Sequence, residues 1–150
     1  MSINSTPITV VGRVMSDITA RVTSTGIKVA NFRLLTQEHI YDKETGTWMD
    51  GDRMYMTIVC WRRLAENVVE CLHKSDQIVV HGRLKIIEYK AANGDPRVKI
   101  EVEAKALGPD LTLSTVTINR PDWAISPNQQ TLVNPPPAQE PTQEEVAQAA

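Results

Sequence analysis

The sequence is poor in aromatic residues, in cysteine and in long apolar runs. Aromatic side chains make up 5% of its 150 residues, and only one of them is phenylalanine. Two cysteines are too few for a disulfide framework, so we expect reduced thiols in the protein core. No apolar run approaches the length of a membrane span, and the first residues have neither a basic flank nor an apolar signal core. These absences predict a cytoplasmic globular protein.

The net charge of −2 is low for a protein that would bind a polyanion, but the charge is unevenly distributed. Residues 1–110 hold 15 Lys and Arg against 14 Asp and Glu, a balance of +1. Residues 111–150 hold one against four, a balance of −3. A nearly neutral domain binds phosphates only where its basic side chains cluster on one face.

Alternating apolar residues predict five strands in the first two-thirds of the chain. These strands cover residues 8–17, 28–36, 53–61, 77–90 and 97–107. Between the third and fourth strands, RRLAENVVECLHK (62–74) has apolar residues at helical spacing, and the polar segment 41–52 predicts a long hairpin loop. Gly12 and Gly82 inside strands predict bends or bulges. Three strands, a helix and two strands are the order of an all-β, five-stranded OB-fold barrel.

The C-terminal part of the sequence differs from this pattern. LTLSTVTIN (111–119) alternates again and predicts an extra strand after the barrel. Residues 124–150 are rich in Pro, Gln and Ala without periodicity, which predicts a disordered tail. The predicted organisation is therefore a domain over 1–110, an extension over 111–123 and a tail over 124–150.

Residue parity sorts the third and fourth predicted strands into a core face and an outer face. The core faces hold Met54, Met56, Ile58 and Cys60 in one strand and Ile78, Val80, Gly82, Leu84 and Ile86 in the other. The outer faces together carry Tyr55, Trp61, Arg83, Lys85 and Tyr89. Aromatic rings stack on any base and cations bind phosphates, so this face predicts binding of single-stranded nucleic acid without sequence readout. The 41–52 loop adds Tyr41, Lys43 and Trp48, and it is long enough to fold over a bound strand.

Two other functions remain open at this stage. Tyr55 and Trp61 on an outer face are also compatible with packing against a protein partner, which would make the barrel an interaction module. The second is an RNA-binding OB barrel, because stacking on a base does not distinguish RNA, with its 2′-hydroxyl, from DNA. Cys60, Cys71 and His73 fit no zinc spacing, and no catalytic arrangement or phosphate-binding glycine loop is present. We therefore expect no enzyme activity, no metal and no cofactor.

Residues 8–110 resemble the bacterial single-stranded DNA-binding (SSB) proteins. The stretches that carry this resemblance are VVGRV, GIKVANFRL, YDKETGTW, CWRRLAENVVECLHKSDQIVVHGRL and VEAKALGPDL, in the order of the family. IYDKETGTWMDG and the strand-like LTLSTVTIN are most similar to the actinobacterial branch.

The resemblance implies an OB-fold homotetramer, associated with the nucleoid, that coats single-stranded DNA in replication, repair and recombination. The family has aromatic contacts where Tyr55, Trp61 and Tyr89 stand, and Tyr41 is the stand-in for a further stacking residue. It implies basic contacts at Arg21, Lys43, Arg63, Lys74 and Arg97. In the actinobacterial branch the segment matching 111–119 clamps one subunit to another.

Two departures from the family pattern alter these expectations. Family chains commonly end in an acidic tip that closes on Pro and Phe and recruits other proteins, whereas this sequence ends EEVAQAA. Recruitment of replication and repair proteins is therefore doubtful, and the sequence is similar to the shorter second SSB of some actinobacteria. Ile86, Ile87 and Glu88 occupy places that are often basic or polar in the family, which predicts weaker phosphate contact there.

Overall fold

A computed structural model describes residues 5–121 of the chain. None of the helices in this range is long and apolar enough to cross a membrane. Backbone contacts divide the chain into two units after Val116, and the described part of the second unit, residues 117–121, has no regular secondary structure. The elements of the first unit are β1 (Pro7–Val14), β2 (Thr19–Val22), β3 (Lys28–Asp42), β4 (Thr47–Trp61), α1 (Arg62–Cys71), β5 (Gln77–Lys90) and β6 (Pro96–Pro109).

Five of these strands form a closed ring. β1 pairs with β5, β5 with β6 and β3 with β4, all antiparallel, while β4 pairs with β6 in parallel. The ring closes where Arg13 and Val14 of β1 lie opposite Leu35 and Leu34 of β3. With α1 between β4 and β5, this connectivity confirms the predicted OB fold.

The first strand, predicted over 8–17, ends three residues early, and it is followed by a short strand that was not predicted. β1 ends at Val14, and the chain resumes extended structure at Thr19 as β2, which pairs with the start of β3. At the break, the amide of Met15 donates to the carbonyl of Arg33 and the Ser16 hydroxyl accepts from the Arg33 amide. These bonds keep the segment attached to β3 while it bends around the barrel end.

The barrel core is built from the inward side chains of the ring strands. Phe32, Leu34, Met56, Ile58, Ile78, Val80 and Val102 are all at most 2% exposed. α1 covers one end of this core with Ala65 and Val68. The helix ends at Cys71, three residues earlier than predicted, because Leu72 already has an extended backbone.

Gly12 and Gly82 lie where two strand backbones approach each other closely. A Cβ at Gly12 would collide with the carbonyl oxygen of Leu35, and one at Gly82 with that of Glu103. Gly82 also borders a register shift between β5 and β6, so the predicted bulge is confirmed there. Both positions require glycine because the obstructing atoms belong to the backbone.

The segment predicted as a long loop over 41–52 is instead the end of a two-stranded ribbon. β3 and β4 remain paired as far as Asp42 and Thr47, which leaves a four-residue turn. The Asp42 carboxylate accepts from the Glu44 amide and the Thr45 hydroxyl, both at 2.9 Å, and Gly46 has a φ of 67°. Both faces of the ribbon are mostly exposed, so no buried apolar face marked these strands in the sequence.

The strand predicted over 111–119 is not formed in this chain. Residues 111–113 form a turn, and residues 114–121 have no regular structure. Asp110 stabilises the turn, since its carboxylate accepts from the amide and hydroxyl of Thr112. A β-strand needs a neighbour for its backbone hydrogen bonds, and within residues 5–121 no strand pairs with this segment. The predicted tail over 124–150 lies outside the described residues.

Candidate nucleic-acid interface

The candidate site is a cleft between two ribbons that extend from the barrel. One ribbon is the outer part of β3–β4, and the other is the outer part of β5–β6. β4 and β6 pair only where Thr57–Val59 lie opposite Glu101–Glu103, so the ribbons are not bonded to each other beyond that point. The cleft has a volume of about 280 Å³, and its lining includes Arg33, Tyr55, Tyr89 and Lys99.

Tyr55 and Tyr89 enter the cleft from opposite ribbons and are about half exposed, at 45% and 50%. The Arg33 guanidinium lies 5.6 Å from the centre of the Tyr55 ring, a cation–π distance. Within residues 5–121, no carboxylate is within ion-pair distance of Arg33 or of Arg97, which lies opposite Tyr89 on β6. The cleft thus combines two accessible aromatic rings with Arg33, a cation that has no carboxylate partner among residues 5–121.

A β-bulge changes which side of the β3–β4 ribbon the hairpin residues face. Gln37 lies opposite Arg53, but His39 lies opposite Asp50, so two residues of β4 stand opposite Glu38 alone. An extra residue in one strand inverts the alternation of that strand beyond the bulge.

The bulge therefore brings the tip aromatics to the same side of the ribbon as Tyr55. Plain alternation along β4 would have placed Trp48 on the side of Met56. Instead Trp48 is opposite Tyr41, with ring centroids 5.2 Å apart and planes tilted by 58°. Trp48 is 69% exposed, and Lys43 lies in the adjoining turn.

Other predicted contacts lie away from the cleft. Arg21 and Trp61 are both directly opposite Val29 in the sheet, so they share one face at the other end of β3 and β4. Arg63 is exposed in the first turn of α1, and Lys74 follows that helix in a groove beside β1. The twelve predicted residues therefore form several basic and aromatic groups distributed around the barrel.

The outer face of the barrel wall between the ribbons carries carboxylates that sequence reasoning missed. Glu103 of β6 pairs with Arg83 at 2.9 Å and also with Lys85, both of which lie on β5. Hydrogen bonds from Lys85 and then from Arg83 lower the pKa of the Glu103 carboxyl below its ordinary value. Glu101 pairs with Lys99 at 2.9 Å. Two of the predicted phosphate contacts thus already have a partner.

Arg33, Lys99 and the two glutamates were not among the predicted site residues. Their parity was readable, since RVKIEVEAK alternates charged and apolar residues and places both glutamates on the outer face. The sequence did not reveal the register between neighbouring strands. In β5–β6 the register places Glu103 opposite Arg83, and in β3–β4 it places Leu35 opposite Tyr55.

The two cysteines are free and differ in environment. Cys60 is buried in the core as predicted, and burial raises the pKa of its thiol to about 12. Cys71 is exposed on α1, contrary to the predicted core position, because the stripe that packs inward runs through Ala65 and Val68. Within residues 5–121, no cluster of three or more His, Cys, Asp or Glu is suited to a metal ion.

Known structures with the same fold include two actinobacterial proteins. The small single-stranded DNA-binding protein of Streptomyces coelicolor superposes with a TM-score of 0.69 at 31% identity, covering 75% of this chain and 100% of that one. The second single-stranded DNA-binding protein of Mycobacterium smegmatis gives a TM-score of 0.59 at 27% identity, covering 77% and 99%.

Sequence relatives point the same way. The single-stranded DNA-binding protein of Corynebacterium glutamicum is 40% identical over 120 residues, which is 80% of this chain and 53% of that protein. That of Mycobacterium bovis is 39% identical over 115 residues, which is 77% of this chain and 70% of that protein. The chain thus spans about half the length of the first relative and a larger share of the second. Residues 5–110 match the Single-strand binding protein family, and the chain belongs to that family.

Proposed function

We propose that this protein binds single-stranded DNA without reading its sequence. The observation that carries the proposal is the cleft in which Tyr55 and Tyr89 stand on opposite ribbons beside Arg33. Stacking on an aromatic ring contributes roughly 1–3 kcal/mol per base for any base, since every base has a π face. Rings held this way need unstacked bases, which favours a single strand over a duplex.

The phosphates are bound by cations next to the aromatic groups. Arg33 and Arg97 flank the two tyrosines and have no carboxylate partner among the described residues. The Tyr41–Trp48 pair and Lys43 extend the binding surface to the ribbon tip. The proposed contact set is Arg33 together with the twelve residues predicted from the sequence, Arg21, Tyr41, Lys43, Trp48, Tyr55, Trp61, Arg63, Lys74, Arg83, Lys85, Tyr89 and Arg97. Because this set surrounds the barrel, the strand wraps around the protein and does not cross a single face.

The proposal includes assembly into a homotetramer and a role in replication, repair or recombination, as in the family it belongs to. The segment over 111–119 supports assembly, since Leu111, Leu113 and Val116 are 70%, 68% and 45% exposed. An alternating apolar segment of this kind acquires hydrogen-bond partners when it pairs with a second copy of the chain. Recruitment of other proteins is not part of the proposal, and no cofactor is needed for binding.

Titration with oligo-dT tests this function. Binding at low salt is expected to quench tryptophan fluorescence, because Trp48 and Trp61 are both exposed within the proposed contact set. Tyr55→Ala should weaken binding roughly 5- to 150-fold, the equivalent of about 1–3 kcal/mol. Light scattering on the same samples monitors the oligomer.

Tyr55→Phe is the matched control, because it keeps the ring and removes only the hydroxyl. It should bind within about threefold of the wild type, since the ring supplies the stacking. A matched RNA oligomer in competition tests the preference for DNA. If oligo-dT changed neither fluorescence nor mobility at low salt, the proposed function would be wrong. Dissociation of the oligomer by Tyr55→Ala, with intrinsic affinity unchanged, would identify the surface as a protein interface instead.

A further inference from the structure

The barrel wall beside the cleft carries an array of ion pairs within the surface that is proposed to bind a polyanion. Arg83 and Lys85 of β5 share one carboxylate, that of Glu103 on β6. Lys99 and Glu101 form a second pair on the same outer face. Three cations and two carboxylates leave this wall with a net charge of +1.

The side chains of these ion pairs are partly shielded from water, so the charges interact more strongly than they would on a fully exposed surface. The exposed side-chain fractions are 26% for Arg83, 37% for Lys85 and 30% for Glu103. Glu101 is covered further, with 14% of its side chain exposed. A charge interaction at such a site is screened less by salt than one between fully exposed groups.

The Glu103 carboxylate occupies the position that a phosphate would take between the two cations. Like a phosphate, it offers negatively charged oxygens to a guanidinium and an ammonium. A DNA phosphate approaching Arg83 or Lys85 must therefore share them with this carboxylate and is also repelled by it. Arg33 in the cleft and Arg97, which lies opposite Tyr89, have no such competitor among the described residues.

We propose that Glu103 is a built-in competitor of DNA phosphate, which reduces the contribution of Arg83 and Lys85 from two phosphate contacts to one. The inference rests on the proposed binding of single-stranded DNA and assigns a role to a residue outside the predicted contact set. Glu103 thereby keeps binding weaker and less dependent on salt than the aromatic and basic groups alone would make it. The DNA strand is bound mainly by stacking in the cleft, and its phosphates are bound weakly enough at the barrel wall to dissociate and rebind there.

The salt dependence of oligo-dT affinity measures this directly. Each phosphate neutralised on a single strand contributes about −0.7 to the slope of log K against log salt. Glu103→Gln, which keeps the shape and removes the charge, should make the slope more negative by about 0.7. If the affinities converge near 1 M salt, the variant should bind about eightfold more tightly at 50 mM salt.

Two further variants identify the cause. The double variant Glu103→Gln with Lys85→Met restores the net charge of the trio, so its slope should return to that of the wild type. Glu38→Gln is the matched control, since loss of its carboxylate changes the total charge by the same amount, Glu38 forms no ion pair with a described residue, and it lines a groove that holds none of the proposed contacts. Its slope should not change.

The possible outcomes distinguish a failure of this inference from a failure of the proposed binding of single-stranded DNA. A wild type that does not bind oligo-dT would overturn both. A wild type that binds, with the same slope in Glu103→Gln, would overturn the inference alone. A loss of affinity in Glu103→Gln would show that Glu103 positions the cations for DNA, which also contradicts it. Thermal melting monitors folding, and Glu103→Thr, with its high strand propensity, carries the same test if the glutamine variant unfolds.

Discussion

The two ribbons are the outer parts of four of the five barrel strands, but barrel and ribbons use alternating side chains differently. In β4, Met56 lies in the barrel and is 2% exposed, whereas Met54, two residues earlier on the same face, is 41% exposed. In β5, Ile78 is fully buried and Ile86 is 63% exposed. This difference shows that alternating apolar side chains form a buried core only where the strands close into a ring. Beyond the ring the same pattern exposes both faces, and aromatic rings there become available to a ligand.

The largest expected effect contrasts the two methionines of β4. Met56→Ala should lower the free energy of unfolding by about 2–5 kcal/mol, because it leaves a cavity in the barrel core. Met54→Ala, the matched change in the ribbon, should alter it by no more than about 0.5 kcal/mol. Urea denaturation of the two variants measures both values. Equal destabilisation would mean that the ribbon is packed as tightly as the barrel.

A smaller effect is expected at the second ribbon, where Tyr89 faces Tyr55 across the cleft. Tyr89→Ala should weaken oligo-dT binding by about 1–3 kcal/mol and leave the unfolding free energy nearly unchanged, since the side chain is half exposed. If the two rings stack on different bases, the Tyr55→Ala and Tyr89→Ala effects should add in the double variant. Fluorescence titration of the wild type, the two single variants and the double variant completes this double-mutant cycle. A double variant no weaker than the single ones would show that the rings act on one base.

The smallest expected effect concerns the barrel wall and its response to acid. The pKa of Glu103 is lowered in the folded state from its ordinary value of 4.5 by Lys85 and Arg83. Its stabilising contribution is therefore fully present above about pH 4.5 and is lost as the pH falls through the lowered pKa. Because the groups are about a third exposed, the contribution should be no more than about 1 kcal/mol. Melting from pH 7 to pH 3 should show a smaller loss of stability in Glu103→Gln than in the wild type, and parallel curves would contradict this.

Much of the barrel was predictable because its signals are local. The helix over residues 62–71 and the strand over 77–90 follow from apolar spacing, and Gly12 and Gly82 mark where backbones meet. The loop predicted over 41–52 was wrong because both faces of the ribbon are exposed, so its strands lack the alternation of buried and exposed residues that marks a barrel strand. The strand predicted over 111–119 is not formed in the single chain, because an alternating sequence shows that a segment can pair but does not show whether a partner strand is present.

The sequence by itself determined the order of the five barrel strands and the helix, the outward direction of Tyr55, Trp61 and Tyr89, and the family to which the chain belongs. Only the tertiary structure decided that the bulge near Gly51 turns Trp48 towards the side of Tyr55. It also decided that Arg33 lies over the Tyr55 ring and that Glu103 is shared by two cations. The physical reason is that side-chain direction follows from local alternation, whereas register joins residues far apart in the chain, and one extra residue in a strand changes every contact beyond it.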